Sequence, residues 1–178
     1  GLFWGLLTID FHFFLDHYPE ENSKNKALDF NSYLGGPATN AAITFQHLGG
    51  KARLVTAIGE NNYTQLISRQ LLEHQITYTD LLHKQQSNPV FAAIITNIVN
   101  GKRTIFSYLP QFNIQFDQDF LLKDIQIAAF DGFYIEEAIV MAELCRHKRI
   151  PTIFDGGSWK PGTNDLLRYI DFAICSEN

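Results

Sequence analysis

Gly35-Gly36-Pro37-Ala38-Thr39-Asn40 brings two glycines, a proline and a carboxamide side chain into one short stretch. Glycines let the backbone approach a ligand where any side chain would obstruct it. A helix beginning at Pro37 would present unpaired amide donors at its N-terminus. Asn40 falls in the first turn, off the apolar stripe of Ala38, Ala41, Ala42, Phe45 and Leu48. Its carboxamide can both donate to and accept from hydroxyl groups, the paired recognition that a polyol requires. The same residues also suit an ordinary glycine turn ahead of a proline-started helix, and local chemistry alone does not choose between the two.

Other chemistry-bearing residues recur at regular places. Asp10, Gly59-Glu60, Asp131-Gly132, Asp155-Gly156-Gly157 and Ser176-Glu177 each follow an apolar run that reads as a strand. In open α/β sheets ligands bind beyond the carboxyl ends of the strands, so these residues are expected to share one rim. Turns favour Asp and Gly for their own reasons, so the weight lies in the repetition.

The elements that must position these residues follow from hydrophobic periodicity. Buried strands are expected at Leu2–Ile9, Arg53–Ile58, Ile125–Phe130, Pro151–Phe154 and Asp171–Cys175, with helices at Pro37–Leu48, Tyr63–His74, Ile135–Lys148 and Asn164–Tyr169. Strands alternating with helices predict a mostly parallel sheet covered on both faces. Leu28–Leu34 and the pair Val90–Val99 and Lys102–Tyr108, joined by Asn100-Gly101 as a two-residue hairpin turn, break the alternation and are expected to form a small extra sheet.

Composition narrows the function classes. A net charge of -5 argues against a nucleic-acid partner, because such binding rests on neutralising phosphates. The basic run Arg146-His147-Lys148-Arg149 ends a helix and complements its dipole. Asp10 and His12 interrupt the apolar opening stretch far short of a membrane span. Cys145 and Cys175 lack a paired spacing, so both are read as core thiols and a reducing compartment, the cytoplasm, is expected. The histidines form no metal-ligand pair. A dinucleotide-dependent oxidoreductase would need G-x-G-x-x-G directly after the first strand, where Gly5-Leu6-Leu7-Thr8-Ile9-Asp10 stands.

Gly35–Ala42 resembles the first signature of the phosphofructokinase-B, or ribokinase-like, carbohydrate kinase family. Gly5–Asp10 resembles that family's first strand, and His17–Ser23 the stretch after it, particularly in ketohexokinases. Gly59-Glu60-Asn61 stands where the family shows G-x-D or G-D-D, Asn100–Ile105 resembles its lid hairpin, and Phe154–Gly157 the strand after the middle helix. The resemblance implies a three-layer, Rossmann-like α/β domain over residues 1–178, with lid segments at about 11–34 and 90–108 and its C-terminal part missing. It implies that Asp10, Gly35, Gly36 and Asn40 hold a sugar acceptor, with Asp131 at a position that often contacts it and Phe133 where the family more often has a polar residue. ATP and Mg2+ are the implied cofactors, Ser176-Glu177-Asn178 resembles the start of the segment that influences magnesium and phosphate binding, and a homodimer through the lid is the implied assembly.

One family feature has no counterpart in these residues. Phosphoryl transfer in the family depends on a D-T-x-G-A-G-D-like motif, whose last Asp is the base and whose glycine turn neutralises phosphate charge. No such motif occurs, and no G-x-x-x-x-G-K-[ST] replaces it. The expectation is therefore the substrate-binding N-terminal portion of a carbohydrate kinase, with no catalytic base of its own and inactive as it stands. The alternative is a non-catalytic polyol-binding or interaction module on the same fold. A sheet ending at Cys175 is also expected to leave an uncovered edge.

Overall fold

A computed structural model describes residues 1–83, 85–114 and 122–176. The chain runs β1 (Leu2–Trp4), β2 (Thr8–Leu15), β3 (Asp29–Gly35), α1 (Pro37–His47), β4 (Arg53–Thr56), α2 (Thr64–Glu73) and β5 (Thr77–Asp80). It continues with β6 (Phe91–Asn97), β7 (Arg103–Tyr108), β8 (Ala128–Phe130), α3 (Ile135–His147), β9 (Thr152–Gly156), α4 (Thr163–Leu167) and β10 (Phe172–Cys175). Two sheets result: a six-stranded parallel sheet in the order β10-β9-β8-β1-β4-β5, and a four-stranded mixed sheet in the order β3-β2-β6-β7.

The parallel sheet explains why the central apolar runs are continuous rather than alternating. Leu2 and Trp4 face a core with Ala138, Met141, Ala142 and Cys145 of α3. Phe3 faces the other core, with Ala38 and Ala42 of α1 and Ile67 and Leu71 of α2. Both faces are covered, so every residue of β1 is buried. The result is a three-layer α/β body with a separate mixed sheet.

Helix ends follow local rules. Pro37 opens α1. Gly49, at φ 93°, ends it, and the Gly50 N–H donates to the Phe45 carbonyl. The end of α3 carries Arg146 and His147 in its last turn and closes on Arg149 at φ 56°.

The structure corrects the sequence expectations at four places. Leu2–Ile9 is not one strand: β1 stops at Trp4, the chain bends at Gly5 (φ 152°), and β2 enters the other sheet. Asp10 therefore lies inside β2 rather than beyond a central parallel strand. An unbroken apolar run carries no marker of a change of sheet, because both segments are buried. The short polar strand β5 was not expected and forms the outer edge beside β4.

The hairpin between β6 and β7 is wider than a two-residue turn. Pairing stops at Thr96↔Arg103, Gly101 adopts φ 71°, and the side chains of Asn97 and Asn100 accept from the amides of Val99 and Lys102. The Asn97 N–H still donates to the Lys102 carbonyl at 2.9 Å, and the asparagine side chains close the loop beyond it. Finally, Cys175 is exposed rather than in the core, whereas Cys145 is buried and its thiol is pushed up to about 12 by that burial. All of β10 is exposed at the edge of the sheet.

Candidate functional site

The site is built where the two sheets meet, at the bend Gly5–Leu7 and the start of α1. Each glycine there makes room first for the chain itself. A Cβ on Gly35 would fall 2.1 Å from Asp10 Oδ2 and 2.8 Å from Thr8 Oγ1. One on Gly36, which holds φ 96°, would fall 2.2 Å from the Leu6 carbonyl oxygen. One on Gly5 would fall 2.0 Å from Asp131 Oδ1. Bare glycine surfaces thus seat two carboxylates and one strand-leaving carbonyl.

Asp10 is half-buried, and Thr8 donates its hydroxyl to Oδ1 at 2.5 Å. That bond fixes the carboxylate against Gly35 while Oδ2 keeps its acceptor capacity. In the ladder Asp10 stands opposite Tyr33 and Ala92, so it shares their face of the mixed sheet. Asn40 is exposed one turn into α1, and its backbone N–H donates to Gly36 O at 2.9 Å. Its carboxamide makes no hydrogen bond among the described residues.

Asp131 lies beneath these groups, 2% exposed. Its Oδ2 accepts from the backbone N–H of Leu6 at 2.8 Å and of Ala38 at 3.1 Å, and its Oδ1 from that of Phe133 at 3.0 Å. The side chain thus ties together the bend after β1, the first turn of α1 and its own loop. Gly36 makes no side-chain cap for α1, so this distant carboxylate takes over that task. One of the α1 amides expected to face a ligand is consequently occupied from within. Burial raises the carboxyl to about 6, against the opposing pull of the Leu6, Phe133 and Ala38 amides and of Lys160.

Gly59-Glu60-Asn61 is shaped by a residue that the sequence reading passed over. Asp80, at the end of β5, accepts from the amides of Ile58, Gly59 and Leu82. Asn61 spends its side chain within the loop, donating to the Ile58 and Gly59 carbonyls and accepting from the Tyr63 amide. Glu60 reaches Gln86 at 3.2 Å. A cavity of about 390 Å³ lies here, lined by Glu60, Asn62, Tyr63, Asn88 and Phe91 among others. Phe91 stands opposite Ile9 in the ladder, one residue out of step with Asp10, so this cavity is on the other face of the mixed sheet.

Lys160 was also missed, because no local pattern distinguishes it from a surface lysine. Its ammonium donates to the backbone carbonyl of Asp131 at 3.1 Å and lies 4.3 Å from the centroid of the Phe133 ring. Asp155 and Gly156 form the end of β9, and Ser176 follows β10. Glu177 and Asn178 lie outside the described residues. Among those residues no group of acidic, histidine and cysteine side chains could hold a metal ion, and no helix is long and apolar enough to cross a membrane.

A three-layer parallel α/β body with a mixed sheet meeting it at a glycine-seated carboxylate is the architecture of a ribokinase-like protein. The model of the pfkB family carbohydrate kinases matches residues 2–178, and the chain belongs to that family. It is 22% identical over 132 residues to mouse ketohexokinase, covering 74% of this chain and 44% of that protein. Against the nucleoside kinase of Methanocaldococcus jannaschii it is 26% identical over 102 residues, covering 57% and 34%.

Among solved structures, a candidate ribokinase of Agrobacterium tumefaciens superposes with a TM-score of 0.87 at 21% identity, covering 99% of this chain and 58% of that one. The Arabidopsis thaliana ribokinase complexed with ribose and ATP gives 0.75 at 18%, covering 98% and 59%. The chain thus spans less than half the length of these curated relatives and under two thirds of these solved ones.

Proposed function

We propose that this chain carries the acceptor-binding part of an ATP-dependent phosphotransferase acting on a hydroxyl of a sugar or sugar-like substrate. The observation that carries the reading is the Asp10 carboxylate, held by Thr8 over the bare backbone of Gly35, with the free carboxamide of Asn40 on the adjoining helix. A carboxylate accepts from two hydroxyls at once, and a carboxamide offers a donor and an acceptor to a third. Gly35 and Gly36 supply the approach, and Asp131 contributes by holding the segments that carry the others. The mixed sheet would act as the lid, with Asp10 on the face turned to the acceptor.

ATP is the proposed phosphoryl donor, in keeping with the ribokinase complex named above. No residue described here is assigned to it or to Mg2+. The base of the family is absent from these 178 residues, so the chain by itself is proposed to bind acceptor without transferring phosphate.

Calorimetry against a panel of hexoses, pentoses and nucleosides, paired with an ATP-coupled phosphorylation assay, separates the outcomes. Binding that is lost in Asp10→Ala supports the acceptor site. Saturable binding that Asp10→Ala and Asn40→Ala leave unchanged overturns it. Sugar phosphate formed by the 178-residue chain overturns the assignment of inactivity.

A further inference from the structure

We infer that Lys160 is a positioning residue of the acceptor site: it clamps the β9–α4 loop to the backbone of Asp131, and through Asp131 it holds the bend after β1 and the start of α1 in register. This rests on the acceptor-site reading above. Lys160 has three protons and three acceptors, namely the Asp131 carbonyl at 3.1 Å, the Ser158 carbonyl at 3.3 Å and Ser158 Oγ at 3.1 Å. The ammonium therefore joins the loop after β9 to the loop after β8, and is fully used in doing so.

The neighbouring geometry leaves little freedom. A Cβ on Gly132 would lie 3.6 Å from Lys160 Cδ and Nζ, so the lysine stem passes directly over that glycine. One on Gly162 would lie 2.9 Å from Ile135 Cγ1, so the far end of the same loop is seated on the start of α3. The Lys160 N–H donates to Thr163 Oγ1 at 3.2 Å, anchoring the residue to α4. From Lys160 the contacts run through Asp131 to the Leu6 and Ala38 amides, and from there to Gly35, Gly36 and Asn40.

Charge works in the same direction. Lys160 pulls the Asp131 carboxyl down against the burial that raises it, and is itself lowered by burial while Asp131 and Asp155 pull it back up. Among the described residues the groups facing Asp131 are few. The β9–α4 loop brings Lys160, the start of α3 brings the Tyr134 phenol, raised by burial, and the bend after β1 and the first turn of α1 bring backbone amides without an acid. Removing the Lys160 charge thus leaves Asp131 without its cation and shifts it toward the neutral form, which still accepts but binds its amides less strongly.

The test is an NMR pH titration of the Asp131 carboxyl carbon in the 178-residue chain, with hydrogen exchange at the Leu6 and Ala38 amides. Lys160→Met is expected to raise the titration midpoint by about one pH unit and to weaken protection of both amides about tenfold. Lys160→Arg, which keeps the charge, is expected to restore the midpoint. Ser158→Ala leaves the charge in place and is expected to weaken the amides while leaving the midpoint unmoved; it serves if Lys160→Met fails to fold. A wild-type midpoint and wild-type protection in a folded Lys160→Met chain would overturn the inference. Because exchange and titration need no sugar, the clamp can stand or fall independently of the acceptor reading. Sugar binding measured in the same variants tells which of the two has failed.

Discussion

Asp10 and Asp131 are seated on glycines in similar ways but differ in what surrounds them, and the difference sets what each can do. Asp10 is half-buried with acceptor capacity to spare, whereas Asp131 spends both oxygens on backbone amides. Gly35 and Gly36 should separate in the same sense. A methyl at Gly35 displaces the end of a side chain, so Gly35→Ala is expected to weaken acceptor affinity at least about tenfold with little loss of stability. A methyl at Gly36 meets the Leu6 carbonyl at 2.2 Å in a backbone with φ 96°, so Gly36→Ala is expected to cost about 1–3 kcal/mol in urea denaturation. Equal effects of the two substitutions on stability would show that the Asp10 carboxylate is not what Gly35 accommodates.

Asp131 also sets a pH dependence. Its folded carboxyl, at about 6, lies above the ordinary range, so the native state binds this proton more tightly than the unfolded chain does. Its contribution is fully present below the unfolded carboxyl range and is lost as pH rises through about 6. Stability curves for Asp131→Asn are expected to lose that decline, while one amide is left without an acceptor at about 1–3 kcal/mol. An unchanged slope would assign the pH dependence to other groups.

At the scale of elements, α1 and the bend after β1 act as one unit. Thr39 Oγ1 donates to the Leu6 carbonyl at 3.0 Å, and Asp131 bonds the Leu6 and Ala38 amides from the other side. Thr39 is fully buried, so Thr39→Val is expected to cost about 1–2 kcal/mol and to weaken acceptor binding with it, read by paired denaturation and calorimetry. The end of α3 offers the opposite test. Arg149 sits at φ 56°, where a side chain is strained, and the Ile150 N–H closes on the Cys145 carbonyl at 2.8 Å. Arg149→Gly is expected to stabilise the chain by about 0.5–1 kcal/mol, read as a raised urea midpoint. A lowered midpoint would mean that the arginine makes a contact worth more than its strain.

For the whole molecule, the mixed sheet presents an aromatic face. Phe30, Phe106 and Tyr108 are 49%, 55% and 52% exposed on the face shared with Phe11 and Phe91. Contiguous exposed aromatics of this kind mark association surfaces. A second copy of the chain is the proposed occupant, matching the homodimer that the family resemblance implies. Sedimentation velocity should show a concentration-dependent dimer that Phe106→Glu dissociates. A wild-type chain monomeric at all concentrations would reject it.

The sequence by itself determined the layer architecture, because apolar runs of strand length alternating with amphipathic helices can bury their faces in few ways. It also determined where α1 begins and ends, through Pro37 and Gly49-Gly50, since those residues act on their own backbone. The extra sheet was legible as a break in the alternation. The change of sheet at Gly5 was not, since the residues on both sides are equally buried and only the sequence-distant Asp131 carboxylate gives that glycine its meaning.

Asp80 and Lys160 were illegible for the same reason: their bonds are to backbone groups of other segments, and backbone carries no signature in sequence. Tertiary structure alone decided that Asp10 stays half-buried with one hydrogen bond while Asp131 is buried under three backbone amides. Burial and the count of nearby amides set the role of a carboxylate, and both are properties of the folded chain.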